Sequence, residues 1–467
     1  MSPPRSLSPE TQHAFIKPKS ASSHLLNRSL AVRPDEVSHA KALSIFLNDG
    51  REILDACGGA AVCLIGHGNE EVIDAMTEQA RKICYVHTQA YTTSAAEELA
   101  NLVLEGSPHG LEKAMFVGSG SEANDSAMKL ARQYFYEKGE HQRLHFVVRQ
   151  QAYHGATLGA MSLSTNIGRK IPFAKFEYPH ISSVSPAFPY RYQRQCETPE
   201  EFCDRLLTEI EAEFLRVGPE KIVAFVAETM VGATTGCVSP PVGYFRGVRS
   251  LCDKYGILLI LDEVMCGTGR TGTYFAFEKE DVEPDITTVA KGLGGGYAAI
   301  AGIYIHRKVV DVLWRGSKAF AHGHTYQAHP VNCATALAVQ KIIRRDGLVQ
   351  RCRDLGPALE KMLREELSGC RSVGDIRGRG LFWAVEFVRD QSSKEPFDHG
   401  VGFGKLVQAE AFKRGVAVYP GAGTIDGVCG DHVMLAPPFT ITEQQLETVV
   451  AVLRDAILSQ EKLHLQT

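Results

Sequence analysis

Short apolar runs alternate with longer amphipathic stretches through the middle of the chain. "KAMFV" (113–117), "LHFVV" (144–148), "IVAFVAE" (222–228), "ILLILDE" (257–263) and "ITTVA" (286–290) are apolar on both faces and bounded by turn residues. That is the pattern of strands buried on two sides. The stretches 121–138, 200–216 and 243–255 between them are amphipathic at helical spacing. Strands alternating with helices predict an α/β fold: a mainly parallel sheet flanked by helices.

The last 120 or so residues read differently. The pattern predicts helices from His329 to Arg345 and from Val349 to Leu367, then a strand "GLFWAVEFV" (380–388). A helix over 401–414, a strand over 416–419 and a closing helix over 442–459 follow, which together make a smaller α+β unit. Near the start, "LSIFLNDGREILDA" reads as a hairpin. Chain ends often meet at the surface, so this stretch is expected to pack with the C-terminal unit. The resulting division is a disordered leader (1–24), an N-terminal segment (25–70), a large α/β domain (71–335) and a small C-terminal domain (336–467) built from both chain ends.

Composition narrows the function. The 467 residues are 44% hydrophobic and 22% charged, which is ordinary for a globular chain with a large core. Lys plus Arg total 50 and Asp plus Glu 54, a net charge of −4, so there is no basic excess of the kind nucleic-acid binding needs. The 12 cysteines are scattered without a Cys-x-x-Cys pair, which reads as reduced thiols and not as a disulfide framework or a zinc site. No apolar run reaches the roughly 18–20 residues of a membrane span. The Ser-rich, Pro-interrupted N-terminus lacks the apolar core of a secretory signal. A cytoplasmic location is therefore expected, with a mitochondrial address as the alternative.

Candidate chemistry clusters at strand ends, where open α/β sheets bind ligands. "FVGSGSEANDSAMKLA" (116–131) is a strand, a tight turn and a helix start. Free N–H groups and the helix dipole there suit a phosphate at Gly120 and Ser121, although such a turn is more often a simple N-cap. "ILLILDEVMCGTGRTG" (257–272) ends a very apolar strand in Asp262 and Glu263, and a carboxylate there needs a cation or a donor. "QQAYHGATLGAMS" (150–162) offers Tyr153 to stack on a flat ring and places His154 beside it. Taken alone, a core aromatic with a satisfied histidine is the better default for the two. "DITTVAKGLGGGY" (285–297) sets Lys291 between an apolar run and a glycine cluster. In such surroundings an amine has a lowered pKa and can act as a nucleophile, although most lysines in such places are surface residues ending a strand. The order of lysine and glycines does not match a P-loop. Together, a phosphate cradle, a buried acid, an aromatic and an amine are what pyridoxal 5′-phosphate requires: an amine for its aldehyde and an acid for its ring nitrogen.

These motifs resemble the class III pyridoxal-phosphate-dependent aminotransferases of fold type I, the omega-amino-acid and amine transaminase group. The resemblance runs from about Leu25 to Leu458. It is carried by "ILDACGGAAVCLIGHGNEEV" (53–72), "FVGSGSEAND", "AYHG", "LDEVMCGTGRTG", "ITTVAKGLGGGY" and "HGHTYQAHP" (322–330). The 29-residue separation of Asp262 and Lys291 also fits. The resemblance implies that Lys291 holds the cofactor covalently and then shuttles protons. It implies that Asp262 pairs with the ring nitrogen, that Val264 and Tyr153 flank the ring, and that Gly120 and Ser121 bind the phosphate. Thr325 would reach the phosphate of a neighbouring protomer, which implies a homodimer with shared sites. Glu228 matches an acid near the cofactor, and an ordinary strand-end carboxylate is the equal alternative.

The departures bear on substrate. Family members that bind an α-carboxylate often carry arginine two residues before "APP", where this chain has Met434 in "DHVMLAPPF" (431–439). Either another arginine serves, or one substrate is an amine or omega-amino compound paired with a small keto acid. Ala328 and Thr229 stand where glycine and proline are common. Tyr85, His87 and Tyr91 read equally as substrate-entrance residues and as packing. Decarboxylation, an intramolecular amino shift and a non-catalytic protein on the same fold are the competing readings.

Overall fold

The computed structural model describes residues 23–105 and 109–465. The expected leader (1–24) falls outside these except for its last two residues. Near the N-terminus, β1 (Val37–Lys41), β2 (Ser44–Leu47) and β3 (Glu52–Asp55) form an antiparallel meander. The hairpin read from "LSIFLNDGREILDA" is the β2–β3 pair.

The central sheet contains β4 (Leu111–Val117), β5 (His145–Arg149), β6 (Ile181–Val184), β7 (Ile222–Glu228), β8 (Leu258–Asp262), β9 (Ile286–Val289) and β10 (Ala301–His306), in the order β4-β10-β9-β8-β7-β5-β6. Its interior pairs β5–β6, β5–β7, β7–β8 and β8–β9 are parallel, while β10 runs antiparallel to both β4 and β9. Both faces are covered. Phe225, Ala227, Leu259 and Leu261 pack into one apolar cluster, and Ala224, Val226, Leu258 and Ile260 into the opposite one. This is the period-2 alternation of a strand with two buried faces. Each of the larger of these side chains, the valine, leucines, isoleucine and phenylalanine, contributes about 1.5–3 kcal/mol on burial.

The helices start where the sequence supplies caps. Thr198 and Glu201 form a capping box at the helix Pro199–Val217, and Gly218 stops it in a positive-φ conformation. Thr442 and Gln445 do the same for the closing helix Glu443–His464. Residues 286–289 follow the predicted strand closely, as 222–228 do. β6, "ISSV", and β10, "AGIYIH", carry too little pattern to stand out, one being polar and the other following a glycine run.

Beyond the central sheet lie β11 (Val373–Arg379), β12 (Phe382–Phe387), β13 (Val416–Ala417), β14 (Tyr419–Ala422) and β15 (Asp431–Leu435). β11, β12, β15 and β14 form a second antiparallel sheet in that order. The stretch 416–419 is thus divided: β13 pairs parallel to β3, and β14 pairs with β15. The β3–β13 pairing joins the two ends of the chain.

Candidate active site

The carboxyl ends of β7 and β8, the turn after β9 and the helix start after β4 converge on a cavity of about 360 Å³. Gly120, Ser121, Tyr153, His154, Glu228, Asp262, Val264 and Lys291 all line it. Thr325 does not; it is exposed elsewhere on the surface.

Asp262 ends β8 and is 3% exposed. Its Oδ2 accepts hydrogen bonds from Asn124 Nδ2 at 2.9 Å and lies 2.7 Å from His154 Nδ1. Its Oδ1 accepts from the Val264 backbone at 2.9 Å. Asn124 also donates to the His154 carbonyl at 2.6 Å and accepts from the Thr288 hydroxyl at 2.9 Å. The acid is therefore fixed by three groups, and Thr288 in turn holds one of them, Asn124. Asn124 was not foreseen from the sequence. Its signal is a polar residue on the buried stripe of the helix Gly120–Glu137, beside Ala123 and Ala127.

Lys291 begins a single helical turn, Lys291–Leu293, with φ 43°, a conformation that costs a non-glycine residue about 1–3 kcal/mol. The glycine after it is required: a Cβ on Gly292 would stand 2.6 Å from Leu64 Cδ1. Among the described residues no hydrogen bond or ion pair engages the Lys291 amine. Desolvation in the cavity lowers its pKa, against the opposing pull of Asp262 and Glu228. A larger neutral fraction is what a nucleophilic amine needs.

Glu228 ends β7. It accepts from the Tyr153 backbone at 3.1 Å and from the Gly232 backbone at 3.0 Å, and burial raises its pKa. It anchors the Tyr153 segment from below. Thr229, in the place where proline is common, uses its hydroxyl to hold Glu263 at 2.8 Å. Burial pushes Glu263 up to about 8. Ala328 adopts φ 49°, which accounts for the suitability of glycine there.

At the helix start, Ser119 caps Glu122 N at 3.2 Å, and the Ser121 hydroxyl accepts from Ala156 N at 3.0 Å. A Cβ on Gly120 would lie 2.8 Å from Val264 Cγ1, so only glycine lets the helix N-terminus approach Val264 this closely. The residues fit pyridoxal 5′-phosphate. They combine a helix N-terminus for a dianion, an aromatic and an aliphatic side chain on the cavity wall, an acid held in place and an unpartnered amine.

Met434 lies on β15, 1% exposed among Met230, Phe382 and Ala436, and does not reach the cavity. Tyr85, His87 and Tyr91 also lie outside the cavity, exposed. Cavity residues that the sequence reading missed are Arg28, Arg169 and Tyr419.

The sequence profile of the family described as Aminotransferase class-III matches residues 30–457. An uncharacterized aminotransferase of Schizosaccharomyces pombe is 48% identical over 427 residues, which cover 91% of this chain and 93% of that protein. A putrescine–pyruvate aminotransferase of Pseudomonas aeruginosa is 33% identical, with 90% of each chain covered. The crystal structure of an omega transaminase from Pseudomonas jessenii in complex with PMP superposes with a TM-score of 0.89. It is 30% identical and covers 96% of this chain and 99% of that one.

Proposed function

Because this chain belongs to the class III aminotransferases, we propose that it moves the amino group of an amine or omega-amino donor to a small keto acid. Pyridoxal-phosphate-dependent transamination by a ping-pong exchange is the chemistry of the family. When bound, the cofactor supplies an aldehyde for amines and a protonated ring that accepts electrons.

The residues divide that work. Lys291 Nζ would hold the cofactor, and its amine would take up and release the proton of the reacting carbon. Asp262, fixed by Asn124, His154 and Val264, would keep the ring nitrogen protonated. Val264 and Tyr153 would flank the ring, and Gly120 and Ser121 would receive the phosphate. Glu228 positions Tyr153 through its backbone. The observation that carries this reading is the free, desolvated Lys291 amine in the same cavity as the fixed Asp262 carboxylate.

The donor class rests on the buried, apolar surroundings of Met434, which leave no guanidinium at that position, and on the likeness to a putrescine–pyruvate aminotransferase. The protein is proposed to act as a homodimer in which Thr325 reaches the neighbour's cofactor phosphate. Thr325 lies outside its own cavity, and exposed aromatic rings stand near it: Tyr326 is 66% exposed and packs edge-on against Tyr85, itself 40% exposed, at 5.8 Å. Exposed apolar patches of this kind mark association surfaces. A cytoplasmic location is proposed from the composition.

The test is a donor panel of diamines, omega-amino acids and arylalkylamines with pyruvate, scored by alanine formation. Alanine from a donor without an α-carboxylate supports the reading. Strict need for an α-amino acid in both half-reactions rejects it.

A further inference from the structure

A keto acid brings a carboxylate into the cavity, and the position where the resemblance leads one to look for its partner is closed. Met434 is sealed in an apolar cluster. Among the described residues, the cavity wall holds three basic side chains of the lysine and arginine type: Lys291, Arg28 and Arg169. Lys291 is committed to the cofactor. Arg28 sits on an exposed stretch without regular structure, flanked by the exposed Leu26 and Leu30.

Arg169 is exposed too, but it sits on a defined turn beside an aromatic ring. It closes the single helical turn Ile167–Arg169, and its guanidinium lies 4.8 Å from the centroid of the Tyr153 ring. That distance is within the range of a cation–π contact. The turn is tied to the Tyr153 segment by four hydrogen bonds. Ala152 N donates to the Thr165 hydroxyl at 2.9 Å, and that hydroxyl donates to the Arg149 carbonyl at 2.7 Å. Thr165 N and Asn166 N both donate to the Ala152 carbonyl, at 3.0 and 3.2 Å. On its other side the turn presses against the loop after β14: a Cβ on Gly168 would stand 2.7 Å from the Gly427 carbonyl oxygen. Lys170, next in sequence, is paired with Glu177 at 2.8 Å, whereas Arg169 has no acidic partner among the described residues. A cation held over an aromatic ring at a cavity wall, with no carboxylate of its own, is prepared for one brought by a ligand.

We propose that Arg169 binds the carboxylate of the keto acid substrate, in place of the guanidinium that position 434 lacks. The assignment deepens the proposed function and rests on its keto acid half-reaction. The guanidinium over the ring presents its N–H groups to the carboxylate, so the acceptor is held by the group bonded directly to its reacting carbonyl carbon. Acceptors without a carboxylate forgo this contact. Arg169 thus sets the preference for keto acids over simple aldehydes and leaves amine donors unaffected.

The experiment uses cofactor-loaded wild type, Arg169→Met, Arg169→Lys and Arg28→Met. Binding of propionate, a carboxylate that cannot react, is followed by the change it makes in the cofactor absorption. In parallel, KM and kcat are measured for pyruvate and for propanal. The expected result is a tenfold or greater loss of propionate affinity and a matching rise in KM for pyruvate in Arg169→Met. Propanal kinetics should stay near wild type, Arg169→Lys should be intermediate, and Arg28→Met should keep the wild-type propionate affinity. Propionate that fails to bind wild type, equal propionate affinity in wild type and Arg169→Met, equal loss for pyruvate and propanal, or transfer of the effect to Arg28→Met would each overturn the assignment. Should the amine-donor reading fail instead, amine turnover is missing from every form, wild type included, while the propionate contrast persists.

Discussion

His154 Nδ1 stands 2.7 Å from Asp262 Oδ2, and its Nε2 is buried without a partner. The imidazole is therefore given over to one contact, which orients the acid that faces the cavity. The same oxygen also accepts from Asn124 at 2.9 Å, so an amide at position 262 would set an NH₂ group against at least one of these donors or against Val264 N. Asp262→Asn is expected to lower kcat at least about tenfold, since a charge-assisted hydrogen bond is worth about 1.5–3 kcal/mol. Steady-state kinetics of the loaded variant checks this.

The close approach of Gly120 to Val264 gives a second expectation. Gly120→Ala places a methyl 2.8 Å from Val264 Cγ1, and relieving that overlap moves the helix start away from the ring-binding wall. Overpacking of this kind costs about 1–3 kcal/mol, so cofactor affinity should fall about 10- to 100-fold with the fold intact. Titration of the apo variant with pyridoxal 5′-phosphate reads it.

How much of this could be read along the chain depended on whether a signal was local. Lys291, Asp262 and Gly120 each sit inside a contiguous motif that records a strand end or a helix start, and the buried strands 222–228 and 286–289 are written in runs of apolar residues. The antiparallel course of β10 left no such record, because strand direction is set by the connection that follows Lys291 and not by apolarity. Arg169 was equally hidden. Its place over Tyr153 depends on hydrogen bonds from Thr165 and Asn166 to residues 149–152, contacts that no periodicity encodes. Thr325 was drawn to the cofactor by motif alone, and within one chain it lies elsewhere.

Position 434 supplies a stability test. Arginine there would bury a charge among the apolar side chains of Met230, Phe382 and Ala436. Met434→Arg is expected to destabilise the protein by more than about 3 kcal/mol, without a gain in α-carboxylate binding. Thermal unfolding monitored by circular dichroism measures the first effect and propionate titration the second.

The Asp55–His67 pair, 3.1 Å apart, predicts a pH dependence. The hydrogen bond to the Asp55 carboxylate, then the contact with Cys63, raises His67 to about 10. A group whose pKa rises on folding stabilises fully below its unfolded value of about 6.5 and loses that contribution as pH climbs through the folded value. The Tm difference between wild type and His67→Gln should therefore be widest near pH 6 and close above about pH 10. Unfolding scans across that range decide it.

The central claim is that the Lys291 amine carries the cofactor, and borohydride reduction addresses it directly. Loaded protein is reduced, digested and mapped by mass spectrometry. The expected result is a pyridoxyl mass on the peptide containing Lys291 and loss of the label, with the visible cofactor band, in Lys291→Ala. A label on another lysine, or none on the Lys291 peptide of fully loaded protein, would contradict it.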